Sequence, residues 1–330
     1  MIELYDDSLI FRFPDVHPDA ECNIHFQRTL RIPDDNQKYP LPPGLGQFPL
    51  THVDDVEAKA PPSWVKHGGV FLPMYQSEAM WISFSSRRWS SASYPFAIKV
   101  AAGKINAITG DPWKNELSGI PQDYLVIPSQ PWLDGFCVAK GLVRQFVAMP
   151  LNQGYTAEEQ ITARAKHGGL QIIVYPMKAA VYEEHKKEQE RISRSGITMV
   201  GCMEMGLAPG GLMRQKLYED RYGFDVWEKT VYSRCYVHIV NSLDYLTIAD
   251  RAPPSKPPSA EDYTQAGLPW FEYYGGDLKG LQGSDKLANL DSVAAKAIKK
   301  GDAPPEKNKS VEPAAIVTLG GKGIVREGDY

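Results

Sequence analysis

The sequence has little of what most readily announces a function. Its 330 residues hold four cysteines, Cys22, Cys137, Cys202 and Cys235, set far apart. Such spacing excludes the dense disulfide framework of a small secreted domain and points to free, buried thiols in a reducing compartment. No stretch reaches the roughly 18 consecutive apolar residues of a membrane span, so no membrane association is expected. The opening Met1-Ile2-Glu3-Leu4-Tyr5-Asp6-Asp7 is acidic and lacks the apolar core of a secretory signal, which leads to a cytoplasmic expectation. Charge of one sign is not in excess: 36 Lys and Arg face 40 Asp and Glu, for a net charge of −4. The basic residues are scattered, without the stripe that a nucleic-acid binder needs, so nucleic acid is not an expected partner.

Signature motifs are also missing. Ala101-Ala102-Gly103-Lys104-Ile105 has the Gly-Lys pair of a phosphate loop but neither its leading glycine nor its hydroxyl residue, and reads as a hairpin turn. Gly44-Leu45-Gly46 lies among prolines that forbid the helix a dinucleotide site requires. Gly-x-Ser-x-Gly and His-Glu-x-x-His are absent. No cofactor is expected. For a metal, the nearest grouping is Cys235-x-x-His238 with Cys202-x-Glu204. On a strand, Cys235 and His238 point to opposite faces, so the pattern reads as a buried thiol beside a surface imidazole, and no metal site is expected.

What is there is alternation of apolar and polar residues, the period of a half-buried strand. From 24 to 32, Ile24, Phe26, Leu30 and Ile32 share one face and only Arg28 breaks it. Strands are expected at Leu9–Phe13, Gly69–Met74, Trp81–Phe84, Tyr94–Val100, Leu125–Ile127, Leu142–Met149, Leu170–Tyr175, Ile197–Val200 and Ser233–Val240. Hairpins are expected at Ala102-Gly103-Lys104 and Lys140-Gly141. Thr156 with Glu159 forms a capping box, Lys178–Ser195 reads as a solvated helix or a long excursion, and Leu212–Asp220 and Ser259–Ala266 read as short helices.

Prolines 33, 40, 42 and 43 mark an extended arm ending at Gln47-Phe48-Pro49, where regular pairing is not expected. A second cluster, Pro253 to Pro258, precedes the aromatic Trp270-Phe271-Glu272-Tyr273-Tyr274, which is too apolar for a free linker. Beyond Leu278 the composition is that of a tail, yet Ala315–Leu319 and Ile324-Val325 regain strand character. The expected fold class is α+β, predominantly antiparallel β: a β-sandwich or distorted barrel with a few peripheral helices. The expected organisation is a β-rich main domain at 1–250, a proline-rich joint and aromatic packing segment at 251–277, and a C-terminal extension at 278–330 able to dock on a neighbouring subunit.

Two functional expectations follow. The first is a non-catalytic structural or binding protein that forms a homo-oligomer through its arm, aromatic segment and tail. The second is a small-ligand or carbohydrate-type enzyme or binder with a pocket near Trp132 and Asp134, faced by Tyr75 and Glu78, because an aromatic platform beside a carboxylate suits a ligand of unknown identity. Separately, His167 near Glu158 or Glu159 has the residue types for acid–base work. It belongs to one of two similar segments, Lys66-His67-Gly68-Gly69 and Lys166-His167-Gly168-Gly169, which read as a shared way of turning into a strand.

Overall fold

The structure is a computed structural model that describes residues 1–86, 93–164, 166–190, 207–273 and 278–319. The chain opens with an antiparallel meander of β1 (Ile2–Tyr5), β2 (Ser8–Arg12) and β3 (Glu21–Thr29). The proline-rich arm supplies β4 (Lys38–Tyr39), β5 (Gly44–Gln47) and β6 (Thr51–His52). Helix α1 (Pro62–His67) leads into β7 (Val70–Met74), β8 (Ala79–Ser86), β9 (Phe96–Ala102) and β10 (Ile105–Asn106). Next come β11 (Leu125–Ile127), β12 (Trp132–Leu133), β13 (Gly135–Ala139) and β14 (Leu142–Ala148). Helices then alternate with strands: α2 (Ala157–Thr162), β15 (Leu170–Pro176), α3 (Ala179–Glu190), β16 (Leu207–Arg214), β17 (Ser233–Asn241) and α4 (Ser242–Ala249). The last elements are α5 (Ala260–Gln265), β18 (Trp270–Tyr273), α6 (Asp285–Ala288), α7 (Val293–Lys300) and β19 (Ile316–Leu319).

Ten strands form one sheet, in the order β1-β2-β3-β8-β14-β16-β4, with β5 on β3, β12 on β8 and β13 on β14. Seven form the second, in the order β10-β9-β15-β17-β7-β6, with β11 on β9. Pairing between the named strands is antiparallel except at β16–β4, β17–β7 and the small β18–β19 sheet. Neither large sheet closes on itself, so the α+β, sandwich-like arrangement is the one the chain adopts. One core cluster joins Phe26, Ile82 and Phe146 of the first sheet to Ile98, Ile172 and Val237 of the second.

Each sheet also buries one cation. Lys99, in the middle of β9, is 1% exposed and reaches Asp123 at 2.7 Å, with Trp113 beneath its ammonium. Arg28, the one residue that broke the apolar face of β3, pairs with Glu78 across a distance of 2.6 Å, and its guanidinium lies over Phe48. A charge in a strand interior is tolerated only when a partner meets it there.

The extension is tied to the body over long sequence separations. Trp270 is fully buried beside Tyr39, and Phe271 bridges Leu41 of the arm. The Ser284 amide donates to the Cys137 carbonyl, the Ala294 amide donates to Asp34, and Val311 reaches the main core. Through the Leu41 bridge the separate β18–β19 sheet adjoins the chain just beyond β4, and among the described residues no strand pairs with the other side of β19.

The two hairpins, the Thr156–Glu159 capping box and the Ser259–Asp262 capping box form as expected. Leu212–Asp220 is not a helix. Met213, Gln215 and Leu217 are buried while Arg214 and Lys216 are exposed, a period of two, and the segment begins as β16. The arm does pair, in stretches the prolines keep short: β4 with β16 and β5 with β3. Helix α3 is not solvated all round, because Tyr182 is buried against Tyr94. The expected strands at Ile197–Val200 and Ile324-Val325 lie outside the described residues.

Both His-Gly-Gly segments turn against β17. Leu170 and Val70, the first residues of β15 and β7, both pair with Val237. Gly69 and Gly169 have φ of +92° and +57°, and a Cβ on them would lie 2.1 Å from the Tyr236 carbonyl oxygen and 2.3 Å from that of Val237. Glycine is required by space as well as by conformation. Gly141 has a similar φ of +75° but open surroundings. We expect Gly69→Ala and Gly169→Ala each to cost more than about 2 kcal/mol in urea unfolding, against about 1 kcal/mol for Gly141→Ala. Equal losses at all three sites would refute the close-approach account.

Candidate functional site

The four residues expected to share a pocket occupy two places, and His167, considered apart from them, occupies a third. Tyr75 and Glu78 stand at the turn between β7 and β8 and line a cavity of about 500 Å³. Its opposite walls come from the joint, at Lys256-Pro257-Pro258-Ser259, and from the extension, at Ala303 to Lys307. The Arg28 Nε and Nη2 groups donate to one Glu78 oxygen at 2.7 and 2.6 Å, and the other oxygen accepts from the Tyr75 amide. Burial pushes the Glu78 carboxyl upward, with Arg28 opposing that shift. The same guanidinium donates to the Ser255 carbonyl, and the Tyr75 hydroxyl donates to that of Pro254. Glu78 is therefore engaged in fastening the joint to the body, by way of Arg28.

Trp132 and Asp134 do not line that cavity. Trp132 pairs with Ser83, five residues along β8 from Glu78, or about 17 Å at 3.4 Å per residue. Asp134 lies between two strands. It links β12, which pairs with β8, to β13, which pairs with β14, at the point where β8 and β14 part. Its carboxyl is buried and accepts a 2.5 Å hydrogen bond from the Trp132 indole, whose ring meets Tyr273 edge-on at 4.6 Å. Burial raises this carboxyl to about 7, with the indole donor pulling it back in part. A carboxyl placed this way locks the aromatic segment onto the body and offers no open platform for a sugar ring.

His167 lies on the second sheet. Its backbone amide and that of Gly168 donate to the Glu158 carboxylate at 3.2 and 3.1 Å, so the contact runs through the main chain and not through the imidazole. Glu159 is occupied by its capping box. The His167 ring instead faces His67, with centroids 5.8 Å apart. Burial and the neighbouring Lys104, His67 and Lys166 lower His167 to about 4. Sequence reasoning noticed that the two segments were alike but did not foresee that they meet.

His238, expected at the surface, is buried: it stacks on Trp64 at 4.9 Å and bonds the Gly68 carbonyl. Cys235 faces the main core, as alternation requires. Among the described residues no group of three or more His, Cys, Asp or Glu could hold a metal, and Cys202 and Glu204 lie outside them. No described helix is long and apolar enough to cross a membrane.

Two outcomes test these assignments. Glu78→Ala leaves Arg28 buried without its carboxylate and is expected to cost about 3–5 kcal/mol in denaturant unfolding, most of it recovered when Arg28→Met accompanies Glu78→Leu. Asp134 has a folded value raised above the ordinary 3.8. The unfolded chain therefore ionises first as pH rises, and the stability this group contributes falls between about pH 4 and pH 7, by on the order of 4 kcal/mol. Asp134→Asn should remove that slope, and an unchanged pH profile of unfolding would refute the assignment. Comparison with protein-family models, with curated proteins and with solved structures finds no match for this chain.

Proposed function

We propose that this chain is a self-associating structural or binding protein whose copies join through the edge of β19 that no described strand covers. The observation that carries the reading is the exposure of that strand. All four residues of β19 are exposed, with Ile316 at 47%, Val317 at 44% and Leu319 at 41%. Parallel pairs normally occur buried on both faces, and a two-stranded sheet is marginal by itself. Ile316-Val317-Thr318-Leu319 also carries no charge and no proline, the devices that usually guard an edge. At the other end of the array, β1 contains Glu3, which is paired to Arg12.

A second copy is the occupant that suits this edge. Two uncharged β19 strands can pair antiparallel about a two-fold axis, each giving the other a third strand and cover, with no like charges opposed. The arm and the aromatic segment, which also suggested association, are used within the chain, so the reading rests on the edge. A reducing, cytoplasmic setting suits it: Cys22, Cys137 and Cys235 are free and buried, and burial pushes the thiols of Cys137 and Cys235 up to about 12, which keeps them unreactive.

Sedimentation of the full chain should show a dimer or larger assembly, and Val317→Lys with Thr318→Pro should give a monomer of unchanged circular dichroism. A wild-type monomer across the accessible concentration range, or an assembly that survives the double substitution, would sink the proposal.

A further inference from the structure

The two Lys-His-Gly-Gly segments are 100 positions apart in sequence, since His67 and His167 correspond, yet the fold brings them together at one place on β17. The imidazoles of His67 and His167 face each other at 5.8 Å, and His67 lies 5.0 Å from the ring of Tyr236 between them and the strand. The Gly103 amide donates to the Gly169 carbonyl, which sets Lys104 beside the second turn, and Lys166 precedes that turn directly. Arg234 lies over the other end of Tyr236.

This convergence is electrically one-sided. Lys104 and Lys166 are exposed and pair with no group of the described residues. Neither imidazole has a hydrogen-bond partner among them. Glu158, a carboxylate at the second turn, is buried and already accepts from the His167 and Gly168 amides, with Gly103 pressed against it. It holds the second turn in shape from behind. Like charges of this kind are costly to gather unless an opposite charge occupies the space between them.

We propose that the two Lys-His-Gly-Gly turns form one binding site for a small oxyanion of the phosphate class, held by Lys104, Lys166, His67 and His167. The lysines supply positive charge, and each imidazole donates an N–H to an anion oxygen. The tight turns fix the two histidines on a shared strand, so the spacing between donors is set before the anion arrives. The assignment is independent of self-association at β19, which belongs to the separate β18–β19 sheet.

The test is proton NMR of the histidine rings of the full chain, titrated with inorganic phosphate and, in a separate arm, with zinc chloride. Phosphate should shift the His67 and His167 signals, raise the proton affinity of both rings about tenfold, and leave His17, His25 and His185, which lie elsewhere, unmoved. Lys104→Gln with Lys166→Gln should weaken phosphate binding at least about tenfold while the remaining spectrum stays in place. Silence of both rings at every phosphate concentration, equal binding by the double variant, or a response to zinc but not to phosphate would each overturn the proposal. Because light scattering on the same samples reports association separately, failure here and failure at β19 cannot be confused.

Discussion

The ion pair between Arg28 and Glu78 is the contact on which the arrangement of the outer segments depends. Strand β3 lies deep in the first sheet, and a guanidinium there is stable only with a carboxylate brought to it. Glu78 comes from the turn before β8, which pairs with β3 along its length, so the sheet's own register supplies the partner. Once neutralised, Arg28 has a donor to spare, and it gives that donor to the Ser255 carbonyl. The joint is thereby fixed over the β7–β8 turn, and the helices and strands that follow it start from a defined point. Lys99 and Asp123 do comparable work on the second sheet, where the ammonium also donates to the Glu116 carbonyl and gathers the loop before β11.

The body is mainly antiparallel β with an apolar core, and several of its buried polar groups hold a loop or the extension in place: Glu78, Asp134, Glu158 and Gln145. Gln145 is the clearest case. Its amide donates to the Leu30 carbonyl and accepts from the Ile32 amide, replacing strand pairing where β3 leaves the sheet. Each such side chain acts as a specific fastener, since a buried polar group is stable only in the single arrangement that satisfies it.

Much of this architecture was legible in the sequence because alternation is written locally. Ile24, Phe26 and Ile32 face the core, and so do Leu9, Phe11, Ile98, Val100, Val143 and Ile172. Capping at Thr156 and Ser259 was equally local. Errors arose where a short window fitted two periods, as at Met213 to Leu217, or where partners lay far apart. Arg28 was visible as an anomaly, but nothing near it named Glu78, which is 50 residues away. The pocket imagined around Trp132, Asp134, Tyr75 and Glu78 joined residues of suitable chemistry; the geometry instead assigns one pair to the joint and the other to the aromatic segment. The likeness of the two His-Gly-Gly turns was a readable signal. Their meeting depends on the placement of β15 and β7 on β17, which no short motif encodes.

The pairing of β18 with β19 across the Leu41 bridge ties together three distant parts of the chain, residues 38–41, 270–273 and 316–319. Contacts between segments so far apart in sequence carry a loop-closure cost that the local pairing of β1, β2 and β3 does not. This patch therefore belongs to the part of the fold with the least local support, and its two strands hold only while the body beneath them is in place.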